Sequence, residues 1–301
     1  MDCSKAQKIG RIYDYLTAAL ALIALVIIYI DWRADSHMSA IGYLFVIGLV
    51  LIIYGVFFEP RRLSIRHYKE KLVKDPKSWI RIVFLSDFHA GGFRPKGWYE
   101  RVAAEAQSLD PDVFILGGDY VEESASAIQE IKAISKVTAH LGKYFVLGNH
   151  DFLDRPQFIR ETLSNWGLVD LTNAHVTIRK GERDVQLSAL DDHWHGRPLI
   201  PPLRVSDEIP HITVAHEPDA ILDFKTGDTD LILAGHTHGG QIRLPLIGSL
   251  APIPAKLGRK VSRRRKFING TPMIISQGCG ETDFGARLFC PAQIVVVEIG
   301  I

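Results

Sequence analysis

Cysteine is scarce in this chain: Cys3, Cys279 and Cys290 are the three among 301 residues. None forms a Cys-x-x-Cys pair and the count is odd. That argues against a disulfide framework or a thiolate zinc site and for reduced thiols in a non-oxidising compartment. An excess of either charge is missing too. Lys plus Arg total 35 against 34 for Asp plus Glu, a balance that suits no general nucleic-acid binder. Internal repeats and low-complexity tracts are absent. With 47% apolar and 23% charged residues, the chain is neither disordered nor collagen-like. Gly-x-Ser-x-Gly, Walker, His-Glu-x-x-His and Gly-x-Gly-x-x-Gly motifs are all lacking, which removes the chemistries they carry.

Long apolar runs are present, although a mean hydropathy of +0.08 conceals them. Tyr15 to Ile30 and Met38 to Phe58 contain no charge. At 1.5 Å per residue the second spans roughly 30 Å, the thickness of a bilayer's hydrocarbon core. Both are apolar all round, without the polar stripe of a surface helix. A cleaved signal peptide would still leave the second run as an anchor. The pattern predicts a two-helix transmembrane hairpin over residues 1–60, with helices at about 13–30 and 38–58, joined by a polar turn carrying Trp32. Lys5, Lys8 and Arg11 precede the first run, and Arg61, Arg62, Arg66, Lys69, Lys71 and Lys74 follow the second. The positive-inside rule then puts both ends, and the domain at 61–301, on the cytoplasmic side of a cell inner membrane.

Past residue 61 the pattern changes to short apolar runs separated by turns and helix-like stretches, which predicts an α/β protein. Five runs stop at Asp, Asn or His beside glycine. Ile80–Leu85 leads into Asp87-Phe-His89, and Val113–Leu116 into Gly118-Asp119. Tyr144–Leu147 leads into Gly148-Asn-His-Asp151, Ile212–Ala215 into His216, and Leu231–Ala234 into Gly235-His-Thr-His238. In open α/β sheets the ligand site lies outside the carboxyl ends of the strands, so these residues are expected at one place. Asp87, His89, Asp119, Asn149, His216, His236 and His238 form a mixed oxygen and imidazole set. It exceeds the needs of one ion and suits two of Mn²⁺, Fe²⁺, Zn²⁺ or Ni²⁺.

In order and spacing across roughly residues 80–300, these five blocks resemble those of the calcineurin-like metallophosphoesterases. The resemblance implies a four-layer α/β/β/α sandwich with a dinuclear site at the strand ends. It implies Asp87, His89 and His238 at one ion, Asn149, His216 and His236 at the other, and Asp119 bridging both. Manganese is the expected metal, and the resemblance implies a hydroxide shared by the two ions as the nucleophile. His150 is then a donor to the phosphoryl or leaving oxygen. Asp151 either orients His150 or caps the helix that follows.

The substrate is narrowed by three features: the membrane hairpin, the apolar stretch Leu244–Pro254, and the tract Lys256–Lys266 with seven bases and no acid. The last two suit either a phosphorylated lipid or anionic lipid in general. His193-Trp-His195 lines the cleft or packs as a loop anchor. Arg243 and Arg287 are candidate substrate-binding residues, and Gly278-Cys-Gly280 a turn beside the site. Gly235–Arg243 with Arg287-Leu-Phe-Cys-Pro resembles the membrane-associated subgroup, which includes UDP-2,3-diacylglucosamine pyrophosphohydrolases of lipid A synthesis. That reaction is the leading expectation. Hydrolysis of another membrane phosphodiester or lipid diphosphate, and a non-enzymatic metal-binding scaffold, are its rivals. The bilayer and the lipid substrate are the partners expected, with neither nucleic acid nor an obligate protein.

Overall fold

The computed structural model describes residues 19, 21–33, 39–200 and 204–301. Two six-stranded sheets stack face to face. The first runs β1 (Leu63–Lys71), β14 (Ala292–Gly300), β2 (Trp79–Leu85), β3 (Val113–Leu116), β4 (Gly142–Phe145), β5 (Val169–Asp170). The second runs β12 (Arg264–Ile268), β13 (Thr271–Ile275), β9 (Leu231–Ala234), β8 (His211–Ala215), β7 (Arg183–Ala189), β6 (His175–Lys180). A small hairpin, β10 (Arg243–Leu244) with β11 (Gly248–Ser249), stands apart.

Strands β2, β3 and β4 are mutually parallel, as are β7, β8, β9 and β13. Leu85 pairs with Leu116, Leu116 with Phe145, and Ala215 with Ala234. Parallel pairing therefore brings the five ends together. These strands are unbroken apolar runs because both their faces are covered. Ile82, Phe84, Val113 and Ile115 of the first sheet meet Leu187, Ile212, Val214 and Leu233 of the second in one core between the sheets.

Helices Trp98–Ser108 and Pro156–Asn165 cover the outer face of the first sheet. Between them, Ala125–Lys136 is a run of 3₁₀ turns, not an α-helix. Its sequence explains this. Ala125, Ile128, Ile131 and Ile134 recur every third residue and are all buried, which matches three residues per turn.

The outer face of the second sheet corrects one expectation. The fourth layer is not α-helical: 3₁₀ turns Pro218–Asp223 and Gly258–Val261 pack there with Phe224 and the loop containing Ala255 and Leu257. Pro218, Pro245, Pro252, Pro254 and several glycines interrupt these connections, and both residue types oppose helix growth.

Among the described residues one helix, Ala40–Arg61, is long and apolar enough to cross a membrane. Ser39 caps its start through Gly42 N. It continues through a π-turn at Tyr54–Phe58 and closes in a 3₁₀ turn with Pro60. Residues 21–33 are helical as well. The start of the first predicted span and the turn at 34–37 lie outside the described residues, so the two-helix hairpin rests on sequence alone.

Candidate metal centre

The five strand ends meet at the rim between the two sheets. His236 N donates to Asp87 Oδ1 (2.7 Å), and His216 Nδ1 meets Gly117 O (2.7 Å), so each sheet holds residues of the other in place. None of the seven candidate ligands is more than 6% exposed. Asp87, His89, Asp119 and His238 present ligand atoms within 4.8 Å of one another, as do Asp119, His216 and His236. Asp119 belongs to both groups. Asn149 joins the second through Oδ1, 2.8 Å from His236 Nδ1.

The ring nitrogens show what this arrangement fits. His216 directs Nδ1 at a carbonyl, which leaves Nε2 facing Asp119 Oδ2 at 3.1 Å with no aligned hydrogen bond. His89 directs Nδ1 at the Glu122 carboxylate and His238 directs Nδ1 at Gly280 O (3.3 Å). With those protons on Nδ1, the two Nε2 lone pairs meet at 2.9 Å. His236 faces oxygen acceptors on both sides, Asn149 Oδ1 and Pro254 O, each at 2.8 Å. A neutral imidazole donates one proton only. Converging acceptors need either extra protons or cations. The inner nitrogens with carboxylate and amide oxygens suit borderline divalent ions, and the outer nitrogens have the second partners that fix a ligating ring.

The electrostatics agree. Burial works against charge on His89, but Glu122, Asp119 and Asp87 outweigh it and raise its pKa to about 9. His216 is likewise held well above the ordinary value, Asp119 overcoming burial, and Asp119 well below the carboxylate range through His216 and His89. Burial and the charge of His216 bring His236 down to about 4, and burial with the charge of His89 lowers His238.

Carboxylates and imidazoles buried at the strand ends of two packed sheets define a metal-binding hydrolase site. The profile of the calcineurin-like phosphoesterases matches residues 80–240, and this chain belongs to that family. Phosphodiesterase YaeI of Escherichia coli (strain K12) is 30% identical over 254 residues, covering 82% of this chain and 92% of that protein. Uncharacterized metallophosphoesterase YkuE of Bacillus subtilis (strain 168) is 26% identical, over 82% of this chain and 88% of its own. A transmembrane protein with metallophosphoesterase domain from Danio rerio is 28% identical over 65% of this chain and 49% of its own. The chain is a metal-dependent phosphoesterase by family.

Around the ligands, the remaining predicted residues divide. His150 is beside the first group: its ring meets His89 edge-on (4.6 Å between centroids), and Nδ1 contacts Glu122 O at 2.7 Å. Its backbone N–H donates to Asp119 Oδ1. Asp151 does not orient the His150 ring, whose Nδ1 faces Glu122 O instead. Fully buried, it accepts from the backbone N–H groups of Gly148, Asp119 and Tyr120 at 2.8–2.9 Å, stapling two ligand loops together. Of the 193–195 loop only Trp194 meets a candidate ligand, while His193 Nε2 faces Asp223 at 3.7 Å. Trp194 stands edge-on to His236 (4.6 Å), and His195 lies over Phe152. Arg243 bonds Gly239 O (2.6 Å) and keeps a buried Nε without a partner.

Arg287 departs from expectation. It is fully buried and donates to Glu281 Oε1, Cys290 O, Gln277 O and Gly280 O. Its hydrogens hold the 277–290 loop and leave no reach toward substrate.

Sequence reasoning missed Glu122 and the pair Asp192–Glu217. Glu122 forms a third close group with His89 and His150. Burial and a hydrogen bond to Asp192 raise the pKa of Glu217 well above the ordinary carboxylate value, and Asp192 in turn accepts the Trp194 N–H (3.0 Å), which shapes the loop over His236. An acidic residue three positions beyond Asp119, and one directly after His216, were the available signals.

Proposed function

We propose that the chain hydrolyses a lipid-borne phosphodiester or diphosphate beside the cytoplasmic face of an inner membrane. The observation that carries the reading is the pair of buried ligand groups sharing Asp119. Asp87, His89, Asp119 and His238 would hold one divalent ion; Asp119, Asn149, His216 and His236 would hold the other, with manganese the metal assigned and iron, zinc or nickel its competitors. Such a pair, when bound, supplies Lewis-acid stabilisation of phosphoryl oxygens and activation of water.

The chain's own residues do the rest. Asp151 fixes the backbones that carry Asp119 and Asn149. His150, a quarter exposed, offers Nε2 toward the leaving oxygen while Nδ1 is held by Glu122 O. Donation from Nε2 requires the ring to carry both protons. The unpartnered Arg243 Nε is assigned to a substrate phosphate, with the loop from His193 to His195 as one wall of the cleft.

The helix Ala40–Arg61 is read as an anchor, with the basic residues around it on the cytoplasmic side. An anchored diphosphate hydrolase supports UDP-2,3-diacylglucosamine as the substrate, cleaved by water to UMP and 2,3-diacylglucosamine 1-phosphate. The name of the YaeI relative favours a second reading, a different membrane phosphodiester.

The test supplies purified full-length chain and Mn²⁺ with UDP-2,3-diacylglucosamine, a lipid phosphodiester and bis(p-nitrophenyl) phosphate in mixed micelles. UMP release supports the first reading; turnover of a diester alone supports the second. Asp119→Ala should abolish turnover and lower bound metal by at least one ion per chain, measured by elemental analysis. Wild-type turnover in that variant would reject the shared-ligand mechanism, and a metal-loaded wild-type protein inert on every substrate would leave only a scaffold.

A further inference from the structure

Three features converge beyond the metal centre: an exposed apolar hairpin tip, a group of arginines, and the end of the apolar helix. The stem of the hairpin pairs Arg243 with Ser249 and Leu244 with Gly248. Its tip carries Leu246, fully exposed and held at a positive φ of 66°, and Ile247, also exposed. An apolar side chain presented in this way covers nothing within the described fold.

The path from tip to helix is short. Arg243 N donates to Leu288 O, and Leu288 N to Gln241 O, at 2.9 Å each. On its other side this segment meets the helix: Arg287 N donates to Gly55 O (2.9 Å), and the Tyr54 and Phe289 rings lie 6.5 Å apart. A Cβ on Gly55 would come within 3.2 Å of Arg287 O, so the approach is close. One short segment, 287–289, therefore separates the hairpin stem from the last turns of the helix. Charge accompanies it. Burial first, and then the charges of neighbouring arginines, lower the pKa values of Arg243, Arg263 and Lys266, so these bases lie close together.

We infer that the hairpin tip at Leu246 and Ile247 is a second membrane contact, seated in the interface of an anionic bilayer beside the anchor helix. Apolar side chains backed by arginines are the composition of an interfacial contact, and anionic headgroups complement the bases. Two side chains on a narrow hairpin fall far short of the ~800 Å² per partner that a stable protein interface buries. The inference rests on the reading of Ala40–Arg61 as an anchor. It places the mouth of the metal centre, through Arg243 and the His236–Gln241 loop, against the lipid surface.

The test uses the full chain carrying Cys3→Ser and Leu246→Cys, labelled with an environment-sensitive nitrobenzoxadiazole. Cys279 and Cys290 are buried and stay unlabelled. Leu246 contacts too little for its replacement to unfold the protein. A control label at Glu182→Cys sits in the β6–β7 turn, at the sheet edge opposite β12. Both proteins are reconstituted in phosphatidylcholine–phosphatidylglycerol liposomes, floated on a density gradient, then compared in lipids with brominated acyl chains. Flotation with a roughly twofold loss of emission at 246 and none at 182 is the expected result for an interfacial residue. Flotation with no quenching at 246 overturns the membrane contact and leaves the anchor standing. A blue-shifted but unquenched label assigns the tip to a protein contact and also overturns it. Failure to float removes the anchor and this inference together.

Discussion

Five of the seven candidate ligands hold positive φ angles: Asp87 55°, His89 48°, Asp119 55°, His236 69° and His238 49°. Each such conformation costs a non-glycine residue about 1–3 kcal/mol and persists only where surroundings over-determine it. Here the surroundings are other polar groups. Asp151 secures the Asp119 loop, and Glu122 secures His89 while also meeting Thr282 Oγ1 (3.2 Å) and Asp283 N (3.3 Å). Glu122→Gln keeps the shape of the side chain and removes the charge facing His89 Nδ1. Carboxylates behind ligating imidazoles raise ligand basicity, so metal affinity should fall about 10–100-fold with little change in melting temperature. Competition titration with a chelator measures this, and an unchanged Kd would refute the role given to Glu122. Cys279 supplies a contrasting case. Burial pushes its thiol up to about 12. The unfolded thiol ionises near 8.5, so its neutral burial stabilises the fold below that pH, and the contribution is lost as pH climbs toward 12. At about pH 9 iodoacetamide should therefore leave Cys279 unmodified in the native protein and alkylate it in denaturant, as peptide mass spectrometry would report. Rapid native alkylation would contradict the burial.

At the scale of elements, the 277–290 loop links the metal centre to the apolar helix. Glu281 lies between two buried guanidiniums, 2.6 Å from Arg94 and 3.0 Å from Arg287, and Arg94 also reaches Pro60 O. Glu281→Gln strands two buried cations. The expected cost is about 3–5 kcal/mol, read as a lower urea midpoint, and a surface-like loss below ~1 kcal/mol would show that water reaches this network. The same region marks how far sequence carries. The β2, β3, β4, β8 and β9 ends were legible because each is an apolar run broken by metal-type residues. Strand β1 was not: Leu-Ser-Ile-Arg-His-Tyr-Lys-Glu-Lys has no run and only weak alternation, and its state comes from pairing with β14. The last three residues of the basic tract lie in β12, an edge strand whose Arg265 pairs with Glu70 of β1. Long-range pairing of that kind leaves no local pattern. Arg287 failed for a related reason, since a basic residue next to a motif does not reveal that its acceptors are carbonyls of its own loop. Ala125–Lys136 was legible as helical, but its period of three was needed to tell 3₁₀ from α.

At the scale of the molecule, the chain passes from the apolar helix into the first sheet almost without a linker. The helix ends at Arg61 and β1 begins at Leu63. Strand β1 runs parallel to β14 along nine paired positions, Leu63 with Ala292 through Lys71 with Gly300. Arg101 also donates to Arg61 O (3.0 Å). The apolar helix and the catalytic fold therefore meet within the sheet itself, and two truncations should behave differently. Removing residues 1–53 deletes most of the apolar helix and keeps Tyr54, Gly55 and Pro60 with their contacts. That product should be soluble without detergent and should hydrolyse bis(p-nitrophenyl) phosphate at near full-length rates if the chain is the hydrolase proposed. Removing residues 1–71 takes β1 as well. It turns β14 into an edge with Ile294 and Val296 newly short of neighbours, and an unprotected apolar edge strand pairs with other chains. This second product should elute as aggregates on size exclusion, whatever its metal content. A monodisperse product of 1–71 removal, melting at the same temperature as the longer one, would mean that β1 is a passenger of the apolar helix and that the sheet closes without it.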